Sequence, residues 1–359
     1  MIADSDLGGF ADRTGQWLRG TGPESDIVIS SRIRLARNLA DFPFIRRCSE
    51  EDRVTLQRMV RGRMDSVSRW DGIQYFDLES MSEVDRLLLV ERQLISREIA
   101  EADGSRAVAI DPDEHYSVMI NEEDHLRIQV MRSGLDLKAA WQTISELDDE
   151  LESAILYAYH PTYGYLTACP TNVGTGLRVS VMLHLPGLVI TQQIEKVFRS
   201  MRRINVTVRG LYGEGSQYTG DFYQVSNQVT LGRSEEELVA LVGEKVVPEI
   251  IHYERKARKF LIQEGSQDLH DDVSRAMGIL TMAKKISSEE TMHYLSKVRL
   301  GINLGLIDDL EVSTINKLFI HTQRAHLQKL HGGILNTSDR NVRRAAYLQK
   351  HLRQDPELN

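Results

Sequence analysis

The sequence predicts an α+β protein in which a region of mixed strands and helices is followed by an all-helical region. Segments that alternate polar and apolar residues, as half-buried strands do, all lie before Gly265. Beyond Gly265 the apolar residues recur only at helical spacing, over about 268–285, 288–304, 311–330 and 338–353. We therefore expect an N-terminal extension (1–25), a catalytic domain (26–264) and a helical C-terminal domain (265–359).

The first region contains a regular succession of expected elements. A strand begins at Asp26 and enters an arginine-rich segment. Ser49 with Asp52 forms a capping-box pattern that predicts a helix to about Val67, and a second helix from Ser82 is expected to include Leu94 and Ile95. Further strands are expected at 106–110, 116–120, 125–131, 178–185, 206–208 and 223–231, and helices at 137–155, 187–201 and 234–262.

Composition excludes several classes of protein. Hydrophobic residues make up 41% and charged residues 27% of the 359 residues, as in ordinary globular proteins. No apolar run reaches the roughly 18 residues that would span a bilayer, so no membrane association is expected. The net charge of −8 argues against direct nucleic-acid binding. Two cysteines cannot form a disulfide framework, and a reducing cytoplasm is the expected compartment.

The first two candidate segments combine arginines with acids. Arg32 and Arg34 alternate on a strand and so lie on one side, where they would either bind an anion or be solvated. The stretch 121–127 contains Glu122, Glu123 and Asp124 before Arg127. It is either a solvated turn or a place where a carboxylate meets a cationic substrate while Arg127 meets phosphate.

Two further segments are rich in glycine. In 169–178, Gly174 and Gly176 allow backbone N–H groups to approach an anion, and Arg178 adds a bidentate donor. In 209–215, Glu214 lies between glycines, which suits either a loop that closes over a substrate or an ordinary hairpin loop. The chain has no P-loop, no protein-kinase motif and no Cys/His spacing for zinc.

Taken together and in this order, SSRIRLARN, NEEDHLRI, CPTNVGTGLR and RGLYGE resemble the guanidino-phosphotransferase (phosphagen kinase) family. The resemblance implies an antiparallel sheet flanked by helices, and ATP and Mg²⁺ as cofactors, with the metal held mainly by the ATP phosphates and no protein metal site. It implies Glu123, Glu214 and Cys169 as catalytic residues. The implied nucleotide-binding residues are Ser30, Ser31, Arg32, Ile33, Arg34, Gln93, Arg127, Arg178, Val179, Ser180, Val181, Met182, Arg209, Gly210, Leu211, Tyr212 and Gly213.

Elementary chemistry is consistent with these roles. Phosphoryl transfer needs alignment and stabilisation of spread negative charge, which several fixed guanidiniums supply. An arginine guanidinium has a pKa above about 12, so a substrate arginine must lose a proton as it attacks phosphorus. Glu123 is the expected base, with a second carboxylate, Glu214, orienting the substrate. Cys169 is expected to act as a thiolate through electrostatics, without forming a covalent bond.

Only 29 residues precede Ser30, and about 100 residues follow the catalytic domain. This arrangement resembles the bacterial protein-arginine kinases, which mark proteins for Clp-type degradation. That resemblance implies a homodimer, protein substrates with exposed arginines and, as partners, a zinc-binding activator protein, a stress-response transcriptional repressor and a Clp ATPase. It also implies a phosphoarginine-binding or allosteric site at Arg340, Asn341, Arg344 and Ala345, for which a plain basic helix face is the alternative.

Two departures from the family pattern affect these expectations. Asn341 stands where an acid would pair with a guanidinium, so we expect weaker phosphoarginine binding. Gln93 replaces a nucleotide-contacting histidine, so we expect altered ATP affinity with activity retained. Two other functions stay open, namely a kinase for free arginine and a non-catalytic adaptor that binds phosphoarginine or a transcriptional repressor.

Overall fold

The computed structural model describes residues 7–66, 70, 72–210 and 220–353. Its strands alternate buried apolar side chains with polar ones, or are apolar throughout where both faces are covered. The strands are β1 (Val28–Arg37), β2 (Gln74–Asp77), β3 (Ala107–Ile110), β4 (Tyr116–Ile120), β5 (Leu126–Ser133), β6 (Tyr159–His160), β7 (Gly164–Tyr165), β8 (Leu177–His184), β9 (Val206–Arg209) and β10 (Phe222–Asn227).

Eight of these strands form one sheet in the order β2-β3-β4-β5-β1-β8-β10-β9, and all its neighbouring strands are antiparallel. Strands β6 and β7 form a separate hairpin. The arginine-rich strand β1 thus lies near the middle of the sheet, hydrogen-bonded to β5 on one side and β8 on the other. The predicted antiparallel α+β fold is confirmed.

The helices surround this sheet and continue to the end of the described chain. They are α1 (Gly8–Asp12), α2 (Glu50–Asp65), α3 (Glu83–Glu91), α4 (Arg97–Glu101), α5 (Leu137–Ala154), α6 (Pro186–Ile190), α7 (Ile194–Arg202), α8 (Glu235–Ala240), α9 (Val247–Glu264), α10 (Ser266–Met282), α11 (Ser288–Asn303), α12 (Val312–His321), α13 (Arg324–His331) and α14 (Thr337–Leu352). A π-helical turn, Leu241–Val246, joins α8 to α9.

Two hydrophobic cores cover the two faces of the sheet. The first packs Ile33, Leu35 and Val181 against α2, α5 and α9. The second packs Met131 and Met182, which lie on the opposite face, against α3 and the C-terminal helices α10, α11, α12 and α14. Because this second core extends from the sheet into the C-terminal helices, the helical region is packed directly against the sheet at one end of its strands.

The helix starts agree with the sequence patterns, whereas several helix ends do not. Ser49 and Ser234 form capping boxes, and Ser82 caps α3. The helix expected to include Leu94 and Ile95 instead ends at Glu91. Gln93 has a left-handed backbone conformation, which ends the helix, and Ser96 then caps a new one.

Other differences have similar local causes. The expected helix at 187–201 is interrupted by left-handed Gln192, and the expected helix at 311–330 is two helices separated by Thr322 and Gln323. The edge strand β2 and the β6–β7 hairpin were not predicted. Each is short, so its alternation pattern is weak.

Candidate active site

A cavity of about 650 Å³ opens on one face of the sheet. Its lining comes from β1 and the two neighbouring strands, β5 and β8, together with the turn after α3 and the loop before β8. Among the residues that the family resemblance implies as catalytic or nucleotide-binding, those lining it are Arg32, Arg34, Gln93, Glu123, Arg127, Cys169, Arg178 and Arg209. The structure therefore brings arginines from all four segments to one place.

Strand register explains how the arginines come to share a face. Arg34 pairs with Arg178 of β8, and side chains directly opposite in antiparallel strands lie on the same face. Arg32 is two residues from Arg34, and Arg127 is two residues from Gln129, the partner of Arg34 on β5. Arg209 pairs with Gln224, whose other partner, Met182, lies on the same face as Arg178.

A close approach between strand β1 and the segment that leads into β8, at Gly176, brings Arg178 next to Arg34. Gly176 has a left-handed φ of +63°, and its carbonyl accepts a hydrogen bond from the Ala36 N–H at 3.0 Å. A Cβ at this position would lie 2.6 Å from the Ala36 carbonyl oxygen. Only glycine fits here without displacing β1, which gives this glycine a structural reason.

The guanidiniums on this face repel one another. Burial, and then the neighbouring Arg127 and Arg178, lower the pKa of Arg32 to about 10. Burial and the same group of cations hold the pKa of Arg34 well below its usual value. The buried Nε of Arg34 has no hydrogen-bond partner within the described part of the chain. A polyanion would relieve the repulsion and supply the acceptor that Arg34 lacks.

Arg32 is held by neutral groups. Its Nη1 donates to Gln93 Oε1 at 3.1 Å, its Nη2 donates to Gln224 Oε1 at 2.6 Å, and its Nε donates to the Ser180 hydroxyl at 3.5 Å. Amide and hydroxyl oxygens fix the orientation of the guanidinium without neutralising its charge. The full positive charge of Arg32 is therefore directed at the cavity.

The acidic turn before β5 gives its two glutamates different surroundings. The Glu122 carboxylate is buried and accepts hydrogen bonds from Arg127 Nη1 (2.5 Å), Ser96 Oγ (2.6 Å) and the Glu123 N–H (2.7 Å). The Glu123 side chain is 38% exposed at the cavity, with Oε2 3.7 Å from Arg127 Nη2. Burial raises the pKa of Glu123 above its usual value. Glu122 thus fixes the turn, and Glu123 faces the cavity.

Asp124 connects this turn to the loop that carries Cys169. Its Oδ1 accepts from the Ala168 N–H and from Asn38 Nδ2, both at 2.6 Å. The Cys169 sulfur lies 3.0 Å from the Thr171 hydroxyl at the edge of the cavity. The third acid of the triplet therefore positions Cys169 relative to Glu123.

The remaining residues of the expected nucleotide set occupy three locations. Ser30, Ser180 and Met182 lie on the arginine face, beyond Arg32, where they line a small adjoining pocket. Ile33, Val179 and Val181 alternate with the arginines and are fully buried in the opposite core, and Ser31 Oγ donates to the Gly134 carbonyl at 2.8 Å. Gly210 is buried after β9, and Leu211, Tyr212, Gly213 and Glu214 lie outside the described residues.

Sequence reasoning did not single out Gln224, or Glu122 as a residue distinct from Glu123. Gln224 lies on the arginine face of β10 and orients Arg32. The available signal was the strand period of two, which places Gln224 on the same face as Phe222 and Ser226. Two polar residues on one face of a strand do not by themselves indicate a ligand. The pairing of Glu122 with Arg127 depends on tertiary geometry.

Models of two protein families match the chain. The first, ATP:guanido phosphotransferase, C-terminal catalytic domain, matches residues 55–257, and the second, Protein-arginine kinase McsB C-terminal domain, matches residues 266–359. Protein-arginine kinases from Symbiobacterium thermophilum and Halothermothrix orenii are 47% and 46% identical over 340 and 338 residues, each match covering 94% of this chain and 96% of the relative. The chain belongs to the protein-arginine kinase family of ATP:guanido phosphotransferases.

Solved structures of guanidino-phosphotransferases share the fold. The duplicated taurocyamine kinase from Schistosoma mansoni is 27% identical with a TM-score of 0.60, and the match covers 66% of this chain and 34% of that one. Lombricine kinase is 25% identical with a TM-score of 0.58, over 66% of this chain and 69% of that one. The fold similarity to these two structures thus extends over about two thirds of this protein-arginine kinase.

The C-terminal segment that resembles a phosphoarginine motif lies on α14. Arg344 is only 2% exposed, and its guanidinium donates to the Thr322 carbonyl (2.8 Å), the Ile286 carbonyl (3.0 Å) and Asn341 Oδ1 (2.6 Å). Arg340 donates to the Leu335 carbonyl at 2.5 Å, and Ala345 is buried. In this arrangement the Arg344 guanidinium binds the Asn341 side chain and two backbone carbonyls.

Three further features of the described residues bear on other expected properties. Within residues 7–66, 70, 72–210 and 220–353 no group of three or more His, Cys, Asp or Glu side chains is arranged to hold a metal ion. No helix in the described part of the chain has the length and apolar character needed to span a bilayer. Cys48 and Cys169 are both free thiols.

Proposed function

We propose that this chain transfers the γ-phosphoryl group of ATP to arginine side chains of proteins. The supporting observation is that one cavity collects Arg32, Arg34, Arg127, Arg178 and Arg209 around an opening where Glu123 presents a half-exposed carboxylate. A dense group of cations suits a triphosphate, and an acid beside it suits a cationic acceptor. The name of the relatives, protein-arginine kinase, supports an arginine in a protein as that acceptor.

In this proposal the arginine face binds the phosphates. Arg34, whose Nε has no acceptor among the described residues and whose three neighbours are cationic, would gain most from contact with phosphate oxygens. Arg32 is already oriented by Gln93 and Gln224, so it would bind without reorganising. Mg²⁺ would bind mainly to the phosphate oxygens and neutralise part of their charge. Gln93 would contact the nucleotide beside Arg32.

The chemical step needs a base for the substrate guanidinium. A guanidinium nitrogen forms a bond to the γ-phosphorus, the bond from that phosphorus to the bridging oxygen breaks, and its electron pair leaves with ADP. The proton released from the guanidinium passes to the Glu123 carboxylate, whose raised pKa makes it a stronger base than an ordinary glutamate. Glu214 would orient the guanidinium, and Cys169 would stabilise its charge as a thiolate.

The remaining parts of the proposal concern the setting of the reaction. We infer a cytoplasmic homodimer made of a catalytic domain (26–264) and a helical domain (265–359) after an N-terminal extension (1–25). Its partners would be proteins with exposed arginines, a zinc-binding activator, a transcriptional repressor and a Clp ATPase. Two free thiols and the match of residues 266–359 to the protein-arginine kinase C-terminal domain support this setting.

We also propose that Arg340, Asn341, Arg344 and Ala345 form a weakened phosphoarginine site. To bind phosphate, Arg344 would have to exchange its contact with Asn341 Oδ1 for the ligand. Its hydrogen bonds to the Thr322 and Ile286 carbonyls would remain. The exchange costs one charge-assisted hydrogen bond, which supports low affinity.

The direct test is mass spectrometry under non-acidic conditions on a model protein incubated with the full-length enzyme and Mg-ATP. We expect an acid-labile, base-stable phosphoryl group on arginine residues, formed far more slowly with Glu123→Gln. Free arginine is assayed in parallel. Phosphorylation of free arginine without any on protein would instead make the chain a small-molecule kinase, and no transfer to either would support an adaptor.

A further inference from the structure

The turn that follows α3 places Gln93 in the cavity. Gln93 has a left-handed φ of +61°, and the Leu94 N–H donates back to the Leu89 carbonyl at 2.9 Å, which closes the helix end. The Gln93 carbonyl accepts from Gln129 Nε2 at 2.7 Å, while its side chain accepts from Arg32. The orientation of Arg32 therefore depends on where this helix end lies.

The two residues before Gln93 are buried against the C-terminal helices and the N-terminal segment. Glu91 accepts hydrogen bonds from the N–H groups of Ala325 (2.7 Å) and His326 (3.0 Å), the first turn of α13. Glu91 Oε2 also lies 2.8 Å from His326 Nδ1. A carboxylate at a helix N-terminus satisfies N–H groups that have no partner within the helix.

His326 connects both buried residues. Burial and the neighbouring Arg92 hold the pKa of His326 well below its usual value, so the ring is neutral. A proton on Nδ1 then donates to Glu91, and Nε2, 3.4 Å from Arg92 Nη1, accepts. Arg92 is fixed in turn by Glu114, at 2.5 Å and 3.2 Å. The last turn of α3 is thereby attached to α13 through directed hydrogen bonds as well as packing.

We propose that Glu91 and His326 are positioning residues for nucleotide binding: their contact fixes the end of α3, and hence Gln93 and Arg32, from the C-terminal helical region. This inference rests on the proposed role of Arg32 as a phosphate ligand. Helix α13 would thus influence nucleotide binding indirectly, although none of its residues lines the cavity. Losing the contact should weaken ATP binding and leave the chemistry of bound substrates intact.

A pair of histidine substitutions tests the hydrogen bond in the full-length protein. In His326→Asn the amide nitrogen stands near the place of Nδ1 and retains the donor to Glu91, whereas in His326→Gln it stands near the place of Nε2 and loses that donor. We expect H326Q to raise the KM for Mg-ATP about five- to tenfold, as for a lost buried hydrogen bond, with kcat within about twofold of the parent. H326N should keep both constants near the parent values.

A substitution elsewhere on the same helix pair is the matched control. Lys329 Nζ of α13 lies 2.5 Å from Asp85 Oδ1 of α3, at the end of α3 far from Gln93. Lys329→Gln should leave the KM for Mg-ATP unchanged. An equal rise in all three variants, or no rise in H326Q, would overturn the proposal. If H326Q shows no cooperative unfolding transition, Glu91→Asp takes its place and must show the same rise.

Binding of Mg-ADP to the same proteins separates this inference from the proposed function. Calorimetric titration measures nucleotide affinity without phosphoryl transfer, so it works even if protein arginine is not the acceptor. A parent enzyme that binds Mg-ADP but phosphorylates no protein would refute the proposed function alone. Equal Mg-ADP affinity in the parent and H326Q would refute the positioning role alone.

Discussion

Arg34 on the sheet and Arg344 on α14 show two opposite uses of an arginine side chain. Arg344 donates to two backbone carbonyls and one amide oxygen, and burial, followed by nearby Arg340, lowers its pKa to about 10. Arg34 is surrounded by Arg32, Arg127 and Arg178, and its Nε lacks an acceptor within the described chain. An arginine with satisfied donors stabilises the fold, whereas one among like charges is available to an anion.

The largest loss of activity is expected on substitution of Glu123, the acid that faces the arginines lining the cavity. Glu123→Gln keeps the size of the side chain but removes the base, so kcat should fall about 10²- to 10⁴-fold. Steady-state assays of protein-arginine phosphorylation measure this. A loss below tenfold, with intact folding, would remove Glu123 from the chemical step.

Arg34→Gln should separate activity from stability. Removing one preorganised cation should lower kcat/KM about 10²- to 10³-fold. The unfolding temperature should stay equal or rise, because the repulsion from Arg32 and Arg178 is relieved. Arg132→Gln is the control, since Arg132 of the same sheet lies on the other face and donates to the Thr143 hydroxyl. An unfolding temperature of R34Q several degrees below that of the parent would contradict the claim that Arg34 binds an anion and does not stabilise the fold.

Arg344→Met should have the reverse effect. It leaves the Thr322 and Ile286 carbonyls without their donor, so the free energy of unfolding should fall by about 1–3 kcal/mol. The activity of the folded enzyme should stay within a few-fold of the parent. Chemical denaturation measures the first quantity, and Arg343→Met, at an exposed neighbouring position, should change it little.

The pH dependence of kcat/KM sharpens the assignment of the base. Because burial raises the pKa of Glu123, the carboxylate protonates, and activity falls, at a higher pH than for an ordinary glutamate near about 4.3. A pH–rate profile in a buffer series measures the midpoint of this acid limb. A midpoint at or below the ordinary value would contradict the assignment.

The smallest effect is expected at Cys169. If its thiolate only stabilises the substrate cation, Cys169→Ala should lower kcat/KM about five- to tenfold, or about 1–1.4 kcal/mol of transition-state stabilisation. Cys48→Ala is the matched control, because Cys48 does not line the cavity. An unchanged kcat/KM in C169A would show the thiolate role to be wrong.

Local patterns predicted much of the fold and drew attention to several residues that line the cavity. Alternation placed Arg32 and Arg34 on one side of a strand, and serine caps located the starts of α2, α3 and α8. These features depend on neighbouring residues only, so the sequence contains them directly. The family resemblance then indicated which polar segments share a site.

Features that depend on tertiary contacts could not be predicted. The predicted helix through Leu94 is wrong because Gln93 has a left-handed backbone conformation. Unlike glycine, glutamine does not favour this conformation, and here contacts to Arg32 and Gln129 hold it. Arg344 is predicted as part of a phosphoarginine site, with a basic helix face as the alternative. Its burial could not be predicted, because two of its three acceptors, the Thr322 and Ile286 carbonyls, lie outside its own helix. Glu214 lies outside the described residues, so its role stays a prediction.

The most direct test of the central claim is the rise in unfolding temperature that millimolar Mg-ATP produces in three full-length proteins. A ligand that binds only the folded state stabilises it by RT ln(1 + [L]/Kd), where [L] is the free ligand concentration, so tighter binding gives a larger rise. We predict an equal rise for the parent and R344M, and less than half that rise for R34Q. An undiminished rise in R34Q, together with a lost rise in R344M, would contradict the claim that the sheet arginines bind the nucleotide.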